Sequence, residues 1–222
     1  MVTTHKTAWF GDRAVVIDVA SPLDRELVAP IVMRALPEAV VRRGISSLMV
    51  ELPRPDINLL ADVRRVLASV DESREASEPS EAPAADATIS IDVAYDGPDL
   101  LPTATFFGIS DTELVQAHTS QRWRVAMMGF APGFGYLEPI EAPLLPWSSL
   151  PRRTTPRATV SPGSVALAAG MSAIYPTSSP GGWHLIGTSR RILFDPHNDS
   201  RPTLLIPGAS VRFAAINHEP TP

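Results

Sequence analysis

Between Met128 and Leu137 the chain reads MGFAPGFGYL, three aromatic rings set among three glycines and one proline. An apolar run with strand character leads into it, so the backbone arrives extended and must then bend. Glycine lets a backbone take positive φ or approach a neighbour closely, and proline fixes its own φ. Such a segment forms a rigid turn walled by Phe130, Phe134 and Tyr136, and is not expected to run on as helix or strand. Two uses fit it: rings that fill a core, or rings that line a pocket.

The chain has 222 residues, enough for one large domain or two small ones. With 44% apolar and 19% charged residues it reads as an ordinary globular protein. Its net charge of -5 argues against a nucleic-acid partner. The absence of cysteine excludes disulfides, thiolate catalysis and iron–sulfur clusters. No apolar run approaches a membrane span and no signal-peptide core is visible at the N-terminus, so a cytoplasmic location is the default expectation. Lys6 is the only lysine. A Walker-type lysine and a Schiff-base lysine are therefore both missing, and any phosphate must be met by arginine or by another polypeptide.

Residues 71–86, DESREASEPSEAPAAD, are acidic, small and proline-containing, and read as a flexible linker. They separate residues 1–70 from residues 87–222. In the first part, Ala14–Val19 reads as a strand, Ser21-Pro22 as a helix start, Ser47–Leu52 as a second strand and Leu59–Val70 as an amphipathic helix. That order predicts a small α/β domain. In the second part, Thr88–Tyr95 reads as a strand, and Ser110 with Glu113 as a capping box opening a helix that ends near His118. Short β signals follow at Arg124–Phe130, Ser164–Ala169, Ala173–Pro176, Gly182–Thr188, Arg191–Phe194, Thr203–Ile206 and Ser210–Ile216. Dense prolines block long helices there, so this part is expected to be a β-barrel with one or two short helices, and the whole chain an α+β protein.

Charge is uneven. Between Arg122 and Arg191 seven arginines meet only two acids, Glu138 and Glu141. The tightest group is Pro151-Arg152-Arg153-Thr154-Thr155-Pro156-Arg157, which two prolines hold extended. Arg153 and Arg157 suit a carboxylate or phosphate; a solvated basic loop or pairing with acids fits the same residues. A second constrained loop, Tyr175 to His184, could offer Tyr175, Trp183 and the backbone N–H groups of Gly181 and Gly182 to an anion, or be a plain hairpin. His118 is the candidate acid/base, against a structural histidine at a helix end. His184 is a weaker candidate. The turn Asp195 to Asp199, with His197, is read as a turn, and no metal site is expected. No serine sits in a nucleophile elbow. The picture is of stiff hairpins converging at a barrel mouth.

Met128–Leu137 resembles the GFxPGFxYL signature of the 5-oxoprolinase B-subunit family, also called allophanate hydrolase subunit 1 or the sporulation-kinase inhibitor family. Pro151–Arg157, Pro162-Gly163-Ser164-Val165, and Ile174-Tyr175-Pro176 through Ser179–Trp183 match further motifs in order. Leu185-Ile186-Gly187, Leu193–Pro196, Gly11–Ala14 and Ser46–Val50 fit as well. Glu138, His184 and Ala94 depart from the common residues. The resemblance implies an α/β N-terminal domain and a cyclophilin-like barrel. It also implies a hetero-oligomeric complex with a second barrel protein, the C subunit, and a separate A subunit, which together open 5-oxoproline to glutamate using ATP. ATP would bind at a site shared with, or carried by, those partners. The lactam is a poor electrophile, and phosphorylating its oxygen would create a leaving group and an electrophilic carbon. Under this resemblance the catalytic candidates are His118, Arg153 and Arg157. Phe130, Phe134, Tyr136, Tyr175, Gly181, Gly182 and Trp183 are expected to bind a small amide. Two other roles stay open: a module that inhibits a sensor histidine kinase, and a component of an allophanate- or urea-type amide hydrolase.

Overall fold

The computed structural model describes residues 5–75 and 88–216. The chain divides into two compact units, residues 1–84 and 85–222.

The first unit runs β1 (Thr7–Phe10), β2 (Ala14–Asp18), α1 (Pro22–Ala35), β3 (Val40–Arg43), β4 (Ser47–Glu51) and α2 (Leu59–Glu75). The strands form an antiparallel sheet in the order β1-β2-β4-β3. Ser21 caps α1 by accepting the Asp24 N–H at 3.1 Å. One face of the sheet is dry: Val15, Ile17, Leu48 and Val50 are fully buried with Val28 and Val32 of α1 and Val63 and Leu67 of α2. Each such side chain contributes about 1.5–3 kcal/mol by leaving water. Sequence reading missed β1 and β3, because their residues are mostly exposed or half-buried and carry no clean alternation. It also ended the second helix at Val70, whereas α2 continues to Glu75, five residues into the expected linker. The rest of that linker, 76–86, lies outside the described residues.

The second unit contains β5 (Ile89–Val93), α3 (Leu100–Phe107), α4 (Asp111–Ser120), β6 (Trp123–Met128) and β7 (Gly135–Pro139). A 3₁₀ turn at Trp147–Ser149 follows, then β8 (Arg157–Val160), β9 (Ser164–Ala168), β10 (Met171–Ile174), β11 (Ser179–Gly181), β12 (His184–Thr188) and β13 (Ser210–Ala215). Seven strands pair in the order β12-β9-β10-β7-β6-β13-β5. The ends of this sheet meet where Ala94 and Thr188 exchange two backbone hydrogen bonds, at 2.8 and 2.7 Å, so the sheet curls into a nearly closed barrel. β8 and β11 form a separate two-stranded ribbon.

Strand alternation sorts the second unit's apolar residues into two sets. Val165 and Leu167 of β9, Ile174 of β10, Leu137 of β7 and Ile186 of β12 face the barrel interior with Trp123, Val125 and Phe213. Their neighbours Ala166, Ala168, Ala173 and Leu185 face outward, where they join Phe134, Tyr175, Trp183 and the ribbon residue Val160 in a second cluster. β9 is buried along its whole length because it has a core on each side.

Three local expectations need correction. The stretch after Gly133 does run on as a strand: Gly135, Tyr136 and Leu137 open β7. Arg191–Phe194 and Thr203–Ile206 are not strands but are joined by a single bridge, Phe194 to Thr203, with Pro196 and Pro202 limiting further pairing. α3 was not foreseen, since Pro102 argues against a helix; it sits in the first turn, where its missing N–H costs nothing.

Candidate functional site

The three constrained loops share one cavity of about 250 Å³, lined by Phe130, Phe134, Tyr136, Arg152, Arg153, Pro156, Tyr175, Pro180, Gly181, Gly182 and Trp183. It lies against the outer face of the barrel wall, over the second cluster, and not at the barrel mouth as the sequence suggested.

Phe134 is the hub of its floor. Its ring meets Tyr136 edge-on at 4.9 Å, Phe130 at 5.1 Å, Tyr175 at 5.4 Å and Trp183 at 6.2 Å. Edge-to-face contacts of this kind add about 0.5–1.5 kcal/mol each beyond burial and fix ring orientation. Gly133, at φ +81, lets this loop turn against Phe194; a Cβ there would come within 2.7 Å of the Phe194 Cβ. Gly181 is required for a different reason, because a Cβ would stand 2.2 Å from the Tyr175 hydroxyl.

Phe130 behaves differently from the other rings. The Ala131 N–H bonds to the Gly129 carbonyl at 2.9 Å, and Phe130 between them has φ +70. That is a γ-turn of the rare positive-φ kind, a strained geometry for a side chain as large as phenylalanine. It leaves Phe130 59% exposed at the cavity rim.

The arginine loop is tied to β12 and to the glycine pair just before it. His184 Nε2 donates to the Pro151 carbonyl at 2.9 Å, and the Arg153 N–H to the Gly182 carbonyl at 2.8 Å. Asp99, a residue the sequence reading did not single out, receives Arg157 through Nη1 and Nη2 at 2.8 and 2.9 Å and Arg153 through Nη1 at 3.0 Å. Burial works against the Asp99 charge. The hydrogen bonds from Arg157 and the Leu185 N–H, with the field of both arginines, outweigh it and hold the carboxyl below the usual range. Arg157 is thereby spent on Asp99 and is not on the cavity wall. Arg153 is on it, and so is Arg152, whose guanidinium carbon lies 5.9 Å from the Trp183 ring centre.

The hydroxyls of Tyr136 and Tyr175 and the indole N–H of Trp183 make no hydrogen bond to any described residue, and Arg153 Nε is buried without a partner. Tyr175 is only 2% exposed, yet its hydroxyl is unpaired among the described residues. Of these four atoms only Arg153 Nε is fully buried; the three ring donors border the hollow and are free to meet a polar ligand there. Burial first, then the neighbouring Tyr136, raise the Tyr175 phenol above its ordinary value; Arg152 and Arg157 oppose them. Tyr175 therefore stays protonated and can donate. The arrangement offers two guanidinium groups and three neutral donors to a small anion with a flat body.

His118 is not part of this site. It is fully buried on the interior side of the wall, with Nδ1 2.7 Å from the Tyr95 hydroxyl and Nε2 3.0 Å from Ser172 Oγ, stacked on Phe213 at 4.4 Å. Desolvation drives its pKa down to about 3. It is neutral and paired at both nitrogens, and β10 separates it from the cavity, since Ser172 points inward and Ala173 outward. His197 sits in the Asp195 turn, where its N–H bonds to Asp195 Oδ1 at 3.0 Å.

A larger open cleft, about 760 Å³, lies in the first unit between β1 and α2 and is lined by Lys6, Thr7, Val16, Asp18, Arg64 and Leu67 among others. Arg64 is tied to Thr7 Oγ1 at 2.9 Å.

Comparison with known proteins agrees with the motifs. The family described as carboxyltransferase domain, subdomain C and D, matches residues 5–205. The 5-oxoprolinase B subunit of Escherichia coli O157:H7 is 35% identical over 218 residues, covering 91% of this chain and 92% of that protein. The crystal structure of TTHA0988 superposes with a TM-score of 0.70 at 31% identity, over 95% of this chain. This chain spans only 41% of that longer one. The urea amidolyase of K. lactis shares the fold alone, with a TM-score of 0.67 at 15% identity over 96% of this chain and 15% of its own. Ordered motifs, fold and near-full-length identity agree: the chain belongs to the 5-oxoprolinase B-subunit family.

Proposed function

We propose that this protein is a non-autonomous subunit of an ATP-dependent amidohydrolase complex that opens 5-oxoproline to glutamate, and that the outer-wall cavity holds the substrate's carboxylate and lactam ring. The observation that carries this reading is an aromatic hollow where the guanidinium groups of Arg152 and Arg153 stand beside the Tyr136 and Tyr175 hydroxyls and the Trp183 N–H, which make no hydrogen bond to any described residue. A carboxylate suits the guanidinium fork of Arg153 and the charge of Arg152. A flat lactam suits the ring faces and edges, and its carbonyl oxygen suits a phenol donor.

Among the described residues nothing makes a triphosphate site. The only lysine is Lys6, and the glycines of the cavity loops do not open a helix as in a phosphate-binding loop. ATP is therefore assigned to the partner polypeptides or to a surface completed by them, and no step through it is derived for this chain. Among the described residues no unpaired carboxylate or histidine faces the cavity, so a general base must also come from elsewhere. What the chain supplies is capture and orientation of the anion, with the rings excluding water from one side.

The test is direct. L-5-oxoproline is titrated into the purified chain by NMR, and the chain is assayed with and without homologues of the A and C subunits. The expected result is binding without turnover alone, turnover only in the complex, and about a tenfold or greater loss of affinity in Arg153→Ala, the scale of one charge-assisted contact. Full turnover by the isolated chain, or unchanged complex activity in the double variant Arg152→Ala plus Arg153→Ala, would remove the assignment.

A further inference from the structure

Asp99 occupies the N-cap position of α3, where aspartate usually accepts a helix N–H, yet its side chain makes no capping bond. It is turned instead toward the arginine loop, and the residue is 4% exposed. Oδ1 accepts Arg153 Nη1 and Arg157 Nη2; Oδ2 accepts Arg157 Nη1 and the Leu185 N–H at 2.8 Å. A carboxylate offers about four acceptor sites. All are filled, so Asp99 has no capacity left to touch a ligand or take its proton.

The two arginines are held unequally. Arg157 gives both Nη groups and does not reach the cavity. Arg153 gives one, lines the cavity and keeps a buried Nε–H with no partner among the described residues. Because one negative charge faces two guanidiniums, the trio keeps one net positive charge, and the group with donors to spare is Arg153. The backbone bond from Arg153 N–H to Gly182 fixes where its side chain starts, and Asp99 fixes where it ends.

We propose that Asp99 is a positioning residue for the cavity: with Arg157 as a brace, it holds Arg153, whose side chain is 33% exposed, so that the open edge of its guanidinium is presented to the ligand's anionic group. This rests on the ligand-binding reading above but can be tested apart from it. The full-length chain is compared with Asp99→Asn and Arg157→Gln, using L-5-oxoproline as the titrant and the arginine Nε–H resonances as a ligand-free readout. Val211→Ala, an interior truncation on β13, serves as a control for loss of stability alone.

The expected result is a protected Arg153 Nε–H in the native chain that exchanges rapidly in Asp99→Asn. Affinity should fall about tenfold in Asp99→Asn and about threefold in Arg157→Gln, with less than a twofold loss in Val211→Ala. Arg157→Gln carries the test if Asp99→Asn does not fold. Affinity losses that simply track melting temperature across all three variants, or an Arg153 Nε–H signal unchanged by either substitution, overturn the proposal. If the native chain binds no L-5-oxoproline, the functional reading fails, and the Nε–H signal still decides the role of Asp99.

Discussion

Two aromatic clusters sit back to back across the same barrel wall, and they treat their polar atoms in opposite ways. Inside, every ring with a polar handle is satisfied. The Trp123 indole donates to the His118 carbonyl at 3.2 Å, the Trp147 indole to Gln121 Oε1 at 3.4 Å, and the Tyr95 hydroxyl pairs with His118. Outside, Tyr136, Tyr175 and Trp183 leave theirs open among the described residues. Composition does not separate the clusters; both are rich in rings and both are largely buried. Hydrogen-bond satisfaction does: the inner cluster is closed on itself, and the outer one keeps donors free for the ligand proposed above.

The contrast can be broken most forcefully at Trp123. Trp123→Ala should cost roughly 3–5 kcal/mol, enough to collapse the barrel by thermal or urea unfolding. Trp183→Ala should cost clearly less while abolishing ligand binding. Equal destabilisation by both would mean the outer cluster is also core.

The next effect in size depends on pH. An unfolded histidine takes up a proton near its ordinary value, about 6.5, but folded His118 resists until about 3. Its contribution is complete above that ordinary value and is lost as pH falls through the interval between the two. The slope approaches roughly 1.4 kcal/mol per pH unit. His118→Gln should flatten the unfolding free energy between pH 6 and 4; parallel curves for variant and native chain would show that His118 has no such role.

Smaller still is the effect of Tyr175→Phe. Removing an unpaired hydroxyl should shift stability by no more than about 0.5 kcal/mol, yet weaken ligand binding by about 0.5–1.5 kcal/mol. A large stability loss would reveal a hidden partner for the hydroxyl. Least of all, Phe130→Gly should change stability by less than about 1 kcal/mol, because relief of the positive φ is offset by the lost edge contacts with Phe134 and Tyr175 and by the entropy glycine adds. Calorimetry of this variant alongside ligand titration separates a strain held for binding from one without use.

The sequence made the outer site legible because its loops are built from residues with few conformational options. Gly133, Pro156, Pro180 and Gly181 each restrict the backbone locally, so the rings and arginines between them could be placed without knowing the fold. The side of the wall could not be read, since the alternation of β9 and β10 is hidden in a run of residues apolar on both faces. His118 looked chemical only because it lies close in sequence to the glycine-rich loop. Asp99 was missed for the opposite reason. An aspartate just after Gly97 and Pro98 reads as an ordinary turn residue, and its real partners are 54 and 58 residues away. Edge elements β1, β3 and the ribbon β8–β11 were lost because short exposed strands carry little hydrophobic pattern.

The contact between Gly181 and the Tyr175 ring has an evolutionary corollary. A lineage cannot gain even a methyl at 181 while the phenol stays in place, and shortening 175 first would empty part of the hollow. The two sites should thus drift as a couple or not at all, and in a deep set of relatives the rare exceptions at one should coincide with exceptions at the other.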